Sequence, residues 1–202
     1  IFFVTKRSEP FIGEALNRGA RVIIAERELN TDALCLISVD DVPVLLGKMA
    51  SRFYGSPSTK LHIVGVTGTN GKTTTTYLIE SIHKAAGKKA GVIGTISYRY
   101  GGLELKADNT TPGATEAHSL LNDMYECGVR YVAMEVSSHA LEQKRVWGVS
   151  YDVAVFTNLS GEHLDYHASM EAYFEAKKKL FYLNHKRSAA VVNWDDPWGQ
   201  KL

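Results

Sequence analysis

The feature that most limits what this chain can fold into is the run Gly65-Val66-Thr67-Gly68-Thr69-Asn70-Gly71-Lys72-Thr73-Thr74, set between an apolar segment at 61–66 and a helix pattern at 73–86. Glycines at such a junction let backbone N–H groups turn inward around phosphate oxygens. Lys72 supplies a cation for the terminal phosphates, and Thr73 offers a hydroxyl to Mg²⁺. The run departs from the common G-x-x-x-x-G-K-[ST] pattern at Val66, with glycines at 65 and 68 instead. A glycine-rich turn that only caps a helix accounts for Gly68 and Gly71, but not for a buried strand leading into Gly-Lys-Thr-Thr. The loop by itself specifies a nucleotide and no reaction.

The surrounding pattern agrees with an α/β sheet. Before the loop come a helix at 14–18 closed by Gly19, strands at 21–25 and 33–39, a helix at 42–53 and a Gly55-Ser56-Pro57-Ser58-Thr59 linker. After it come strands at 90–93, 131–136, 153–157 and 189–193, helices at 115–127 and 169–182, and a hairpin of 96–100 and 103–106 about Gly101-Gly102. Strands alternating with helices predict a parallel sheet. The expected architecture is a parallel-sheet α/β domain carrying the phosphate loop over 59–202, preceded over 1–58 by a small α/β segment.

Composition narrows the partners. Of 202 residues 45% are hydrophobic, enough to bury a core and exclude disorder. Lys+Arg number 23 against 22 Asp+Glu, a net charge of +1, so an anionic ligand must be held by local geometry and general nucleic-acid coating is excluded. Cys35 and Cys127 lack C-x-x-C spacing, suit a reducing cytosol and are expected to be small buried hydrophobes. No apolar run approaches the roughly 18 residues of a membrane helix, and the N-terminus lacks signal-peptide character, which predicts a cytoplasmic protein. The start at Ile1 in mid-strand and the helix signal Asp195-Asp196-Pro197 close to the end predict a piece of a longer protein.

Other motifs sit where ligands of open α/β sheets gather, at the carboxyl ends of strands. Tyr131-Val132-Ala133-Met134-Glu135 is an apolar strand ending in a carboxylate placed to meet Mg²⁺ beside Thr73. Asn109-Thr110-Thr111-Pro112 and the stretch from Ser137 and Ser138 through Gln143, Lys144 and Arg145 carry groups able to hydrogen-bond an anionic sugar nucleotide. Another apolar strand leads into Asn158-Leu159-Ser160-Gly161-Glu162-His163-Leu164-Asp165-Tyr166-His167, with two histidines four apart and no third ligand of a zinc set beside them.

Together with Tyr173-Phe174-Glu175-Ala176-Lys177, these motifs stand in the order and spacing of the Mur ligases, and the chain resembles that family, nearest its MurE type, over essentially its whole length. The resemblance implies that Gly68, Thr69, Asn70, Gly71, Lys72, Thr73 and Thr74 bind ATP. It also implies that Thr73, Glu135 and His163 hold Mg²⁺, and that Lys177 is a carbamylated metal ligand; Lys72, Glu135, His163 and Lys177 are then the catalytic set. Asn109, Thr110, Thr111, Ser137, Gln143 and Arg145 fall where the family contacts its UDP-muramoyl substrate. The implied activity is ATP-dependent amide ligation of a diamino acid, meso-diaminopimelate or L-lysine, to UDP-MurNAc-L-Ala-D-Glu. The implied protein is a cytoplasmic monomer, with residues 1–58 part of the small α/β UDP-substrate domain, residues 59–202 a parallel-sheet, P-loop ATPase-like central domain that is incomplete, the C-terminal domain missing, and the piece alone inactive. A carbamate has chemical sense there, because an anionic oxygen suits Mg²⁺ where an ammonium would be repelled. The residues alone would make Lys177-Lys178-Lys179 a solvated helix face. The same loop also admits another Mur ligase, a folylpolyglutamate synthase-like ligase, or a non-catalytic nucleotide-binding module.

Overall fold

Two sheets divide the chain in the computed structural model, which describes the backbone of residues 1–202 and the side chains of all but 184–187. The first unit contains β1 (Phe2–Phe3), α1 (Ile12–Asn17), β2 (Val22–Ala25) and β3 (Cys35–Ser38), followed by α2 (Val42–Phe53). Its three strands pair in parallel in the order β1-β2-β3, around a small core of Val4, Ile23 and Ala25 backed by Phe2, Ile12, Leu16 and Leu36.

The second unit runs β4 (His62–Thr67), α3 (Lys72–Ala85), β5 (Ala90–Ile93), β6 (Ser97–Tyr100), β7 (Leu103–Lys106), α4 (Ala114–Glu126), β8 (Tyr131–Glu135), α5 (Ser138–Glu142), β9 (Tyr151–Phe156), α6 (Leu164–His167), α7 (Met170–Tyr182) and β10 (Asn184–Val192). Its sheet has the order β10-β9-β4-β8-β5-β6-β7. The first five strands are mutually parallel, as the alternating pattern predicts, and the β6–β7 hairpin adds two antiparallel strands at one edge, so the sheet is mostly parallel. Only three residues join β5 to β6, too few for the crossover a parallel neighbour needs. Gly101 and Gly102, at φ 57° and 86°, then close the β6–β7 hairpin as expected. The central strands β4 and β8 are covered on both sides, and their apolar residues join Leu121, Met124, Leu141 and Tyr151 in the main core.

Helix α2 packs on α4, and its Gly47 lies so close to the 147–148 turn that a Cβ there would stand 2.2 Å from the Trp147 carbonyl oxygen. The 55–59 linker is more ordered than its composition predicts: Pro57–Lys60 forms a 3₁₀ turn with Pro57 and Ser58 buried. The expectation of buried cysteines is overturned, since Cys35 and Cys127 are both exposed. Cys35 lies on β3, an edge strand open on its outer side, and Cys127 is the C-cap of α4, where the helix ends at the surface. Among the described residues no helix is long and apolar enough to cross a membrane.

Candidate functional site

The phosphate loop is built from its backbone outward. At Gly68 φ is +143°, and an added Cβ would stand 1.9 Å from Thr157 Oγ1, so only glycine fits. Gly71, at φ +84°, opens α3. The end of β9 holds the loop from the side: Thr69 N donates to Asn158 O (2.9 Å), Asn70 N to Asn158 Oδ1 (2.9 Å), and Thr157 Oγ1 to Asn70 O (2.7 Å). Ser160 N donates to Thr69 Oγ1 at 3.0 Å. Thr157 lies outside the sequence motifs, and Asn158 and Ser160 open the 158–167 motif with no role toward the loop marked there; the one signal is a polar run directly after an apolar strand.

Two lysines meet at this loop. Lys72 Nζ donates to Gly68 O at 2.9 Å and Thr69 O at 2.7 Å, and Lys177 Nζ donates to Gly68 O at 2.8 Å. Lys177 is 1% exposed and its ammonium lies 4.3 Å from the centre of the Tyr173 ring. Burial and the neighbouring Lys72 charge press its pKa down to about 7, with Glu162 opposing. Burial likewise lowers Lys72, against the pull of Glu135 and Glu162. Helical spacing explains the inward turn: Tyr173, Ala176, Lys177 and Leu180 share the buried stripe of α7, while Lys178 and Lys179 reach outward to Glu175 and Glu142.

Glu135 ends β8 and is 1% exposed. Its carboxylate accepts from Thr73 Oγ1 (3.1 Å), Thr95 N (3.0 Å) and Thr95 Oγ1 (2.9 Å), and Gly94 makes room for it, since a Cβ there would stand 2.3 Å from Oε1. No motif marks Thr95, whose partner lies 40 residues away. Thr110 meets Thr95 Oγ1 at 3.1 Å. Thr111 Oγ1 donates to Glu135 O (2.9 Å) and accepts from Ser137 N (3.0 Å), and Arg145 Nη1 donates to Thr111 O (2.8 Å). Thus Thr73, Glu135, Thr110, Thr111, Ser137 and Arg145 form one connected network at the carboxyl edge of the sheet.

Gln143, His139 and the 163–167 segment form its flank. Gln143 Nε2 donates to Tyr166 OH at 3.2 Å, and the His139 ring lies 4.8 Å from His163 and 4.2 Å from Tyr166. His163 is exposed, with φ +57° and Nε2 4.0 Å from the Glu162 carboxylate. Burial, reinforced by neighbouring imidazoles, holds His139 and His167 below the usual histidine range. The side chains of Thr74 and Asn109 are exposed, and no hydrogen bond among the described residues ties either to that network; the Asn109 carbonyl accepts from Tyr98 OH at 2.8 Å.

A strand, a glycine-bound loop and a helix carrying Lys72, with a buried carboxylate on the adjacent strand, define a phosphate-loop nucleotide-binding α/β domain. Within that class the chain belongs to the Mur ligase family, whose middle domain matches residues 66–202. A UDP-N-acetylmuramoyl-L-alanyl-D-glutamate–2,6-diaminopimelate ligase from Aquifex aeolicus (strain VF5) is 46% identical over 192 residues, which are 95% of this chain and 39% of that protein. A solved structure of a ligase of the same name superimposes with a TM-score of 0.84 at 33% identity, covering 98% of this chain and 41% of the other. The MurF ligase from Thermotoga maritima in complex with ADP gives 0.57 at 27% identity, covering 98% and 43%. The chain thus spans about two fifths of the length of these relatives.

Proposed function

We propose that the protein to which this chain belongs is a cytoplasmic ATP-dependent ligase that joins a diamino acid to UDP-MurNAc-L-Ala-D-Glu. The observation that carries the reading is the convergence of Lys72 and the deeply buried Lys177 on the Gly68 carbonyl, in a chain whose relatives bear the name of that ligase. The γ-phosphoryl of ATP passes to the D-glutamyl carboxylate, giving an acyl phosphate and ADP. The amine of the diamino acid then attacks the acyl carbon, loses its proton and expels phosphate. The relatives' names make 2,6-diaminopimelate the first amine to try.

The task of the protein is to bring two anions together. Loop amides and Lys72 neutralise the phosphates and orient them in a site where burial strengthens each charge. The donors also fit Mg²⁺: Glu135 is a buried carboxylate whose hydrogen-bond partners are hydroxyls and one backbone N–H, beside the Thr73 hydroxyl, and buried carboxylates of this kind pair with cations. Thr73, Glu135, His163 and a carbamylated Lys177 would hold the ion, which when bound offsets phosphate charge. A lysine with a pKa of about 7 offers a substantial fraction of neutral amine to CO₂ at neutral pH, which supports carbamylation. In the same reading, residues 1–58 and the network through Thr111, Ser137, Gln143 and Arg145 hold the UDP-sugar peptide.

The test is release of phosphate by the full-length protein, given ATP, Mg²⁺, UDP-MurNAc-L-Ala-D-Glu and 2,6-diaminopimelate or L-lysine. Release that requires both the UDP-linked peptide and an amine supports the reading. Binding of ATP with no response to the peptide would replace the ligase with a nucleotide-binding module.

A further inference from the structure

The turn after α5 contains a residue that the substrate network does not use. Its hydrogen bonds, Arg145 N to Ala140 O (2.8 Å) and Lys144 N to Leu141 O (3.2 Å), close the helix in a Schellman pattern. Lys144 occupies the left-handed position of that cap at φ +56°, where glycine or asparagine is the usual choice. A lysine at this point has a backbone disadvantage relative to glycine, yet its side chain makes a specific contact. That side chain reaches α2 and pairs with Oδ2 of Asp41. Asp41 is itself committed: it is the N-cap of α2, with Oδ1 accepting from Val44 N at 3.0 Å. Its carboxyl is held below the usual range: desolvation pushes it up, and the hydrogen bonds from Lys144 and Val44 together with the Lys144 charge outweigh that push.

The same helix touches the turn a second time, through backbone alone. A Cβ on Gly47 would stand 2.2 Å from Trp147 O, and one on Gly148 would stand 2.5 Å from Gly47 O. The turn is therefore clamped against α2 at Lys144 and at 147–148, and Arg145 lies between the two contacts. From Arg145 the path continues through Thr111 O to the Thr111 hydroxyl, which bonds both Glu135 O and Ser137 N.

We infer that Lys144 is a positioning residue: by anchoring the α5 cap to the N-cap aspartate of α2, it fixes the direction of Arg145 in the site that receives the UDP-linked substrate. The ion pair is half-exposed, so its value as a stabilising contact is small. Its effect lies in the geometry it imposes on the adjacent residue, and the inference rests on the function proposed above.

The experiment uses the full-length protein and begins with the wild-type ligase assay, whose failure would overturn the proposed function and not this inference alone. Given activity, Lys144→Met and Asp41→Asn are compared with the double variant; Asp41→Asn keeps the Oδ1 cap and removes the charge. The expected result is a KM for the UDP-linked dipeptide raised about five- to tenfold in each single variant. KM for ATP and kcat stay within about twofold, the double variant is no worse than the singles, and Lys144→Arg behaves like wild type. Calorimetric affinity for the UDP-linked dipeptide follows the same pattern. An unchanged KM in both singles, effects that add in the double variant, or a parallel loss of kcat, both KM values and melting temperature would overturn the inference.

Discussion

The two lysines at the Gly68 carbonyl come from opposite kinds of region. Lys72 opens α3 and bonds carbonyls three and four residues before it, so the loop sequence alone brings it home. Lys177 arrives on α7 from 109 residues away and reaches the same oxygen only because α7 packs its inner stripe against the sheet. Lys72 remains partly open to solvent, whereas Lys177 is nearly sealed, and burial with the neighbouring Lys72 charge presses its pKa down to about 7. A local motif thus supplies a partly open cation at the loop. A long-range contact supplies an amine whose charge the fold itself has made conditional.

Substitutions in the full-length protein can break this contrast, beginning with the largest effect. In the proposed function Lys72 neutralises phosphate charge, so Lys72→Ala should lower turnover at least about 10²- to 10³-fold, measured as phosphate release at saturating ATP. A smaller change would separate Lys72 from phosphate chemistry. Lys177→Met should lower turnover about 100-fold without rescue by bicarbonate, while retaining the fold by circular dichroism.

The buried amine has a second signature, in stability. Its folded pKa, about 7, lies below the roughly 10.4 of an exposed lysine. Between those values the unfolded chain binds a proton that the folded chain does not, so stability rises with pH through that window. Below about pH 7 both states are protonated and the cost of the buried cation is fully present. Urea unfolding in CO₂-free buffer with chelator should show Lys177→Met gaining stability at pH 7 and losing up to about 1.4 kcal/mol per pH unit of that slope. Equal slopes in the two proteins would show that Lys177 is not buried as a free amine.

Gly68→Ala tests the floor on which both lysines rest. A methyl group at φ +143° against Thr157 should cost about 1–3 kcal/mol and weaken nucleotide binding, read by thermal unfolding and calorimetric titration with ATP. The smallest effect belongs to the outward lysines: Lys178→Ala and Lys179→Ala remove surface pairs with Glu175 and Glu142, and activity should stay within about twofold. A large loss there would end the distinction between the inner and outer faces of α7.

Much of the fold is legible in the chain because its signals are local. Periodicity and glycine punctuation mark α2 at its observed bounds and β5 and β7 as well, and they place the phosphate loop between β4 and α3. The short helices α5 and α6 carry too little periodicity to be seen, at five and four residues. The direction of β6 is set by a three-residue connection and not by its composition. In the site, Glu135, Thr111 and Arg145 stand out as strand-end or turn residues. Thr95, Thr157 and Asn158 do not, because a hydroxyl or amide in a loop has no significance until another strand comes beside it.

The sequence by itself determined the strand, loop and helix of the nucleotide site and the place of Lys72, because the turn at Gly68 and Gly71 and the start of α3 depend on residues within a few positions of each other. Only the tertiary structure decided that Lys177 is sealed against the Gly68 carbonyl while Lys178 and Lys179 face outward, that Glu135 is buried among hydroxyls, and that Lys144 ties α2 to the turn bearing Arg145. Each of these depends on elements far apart in the chain meeting at one sheet edge, where burial and neighbouring charge assign a chemical state that residue identity leaves open.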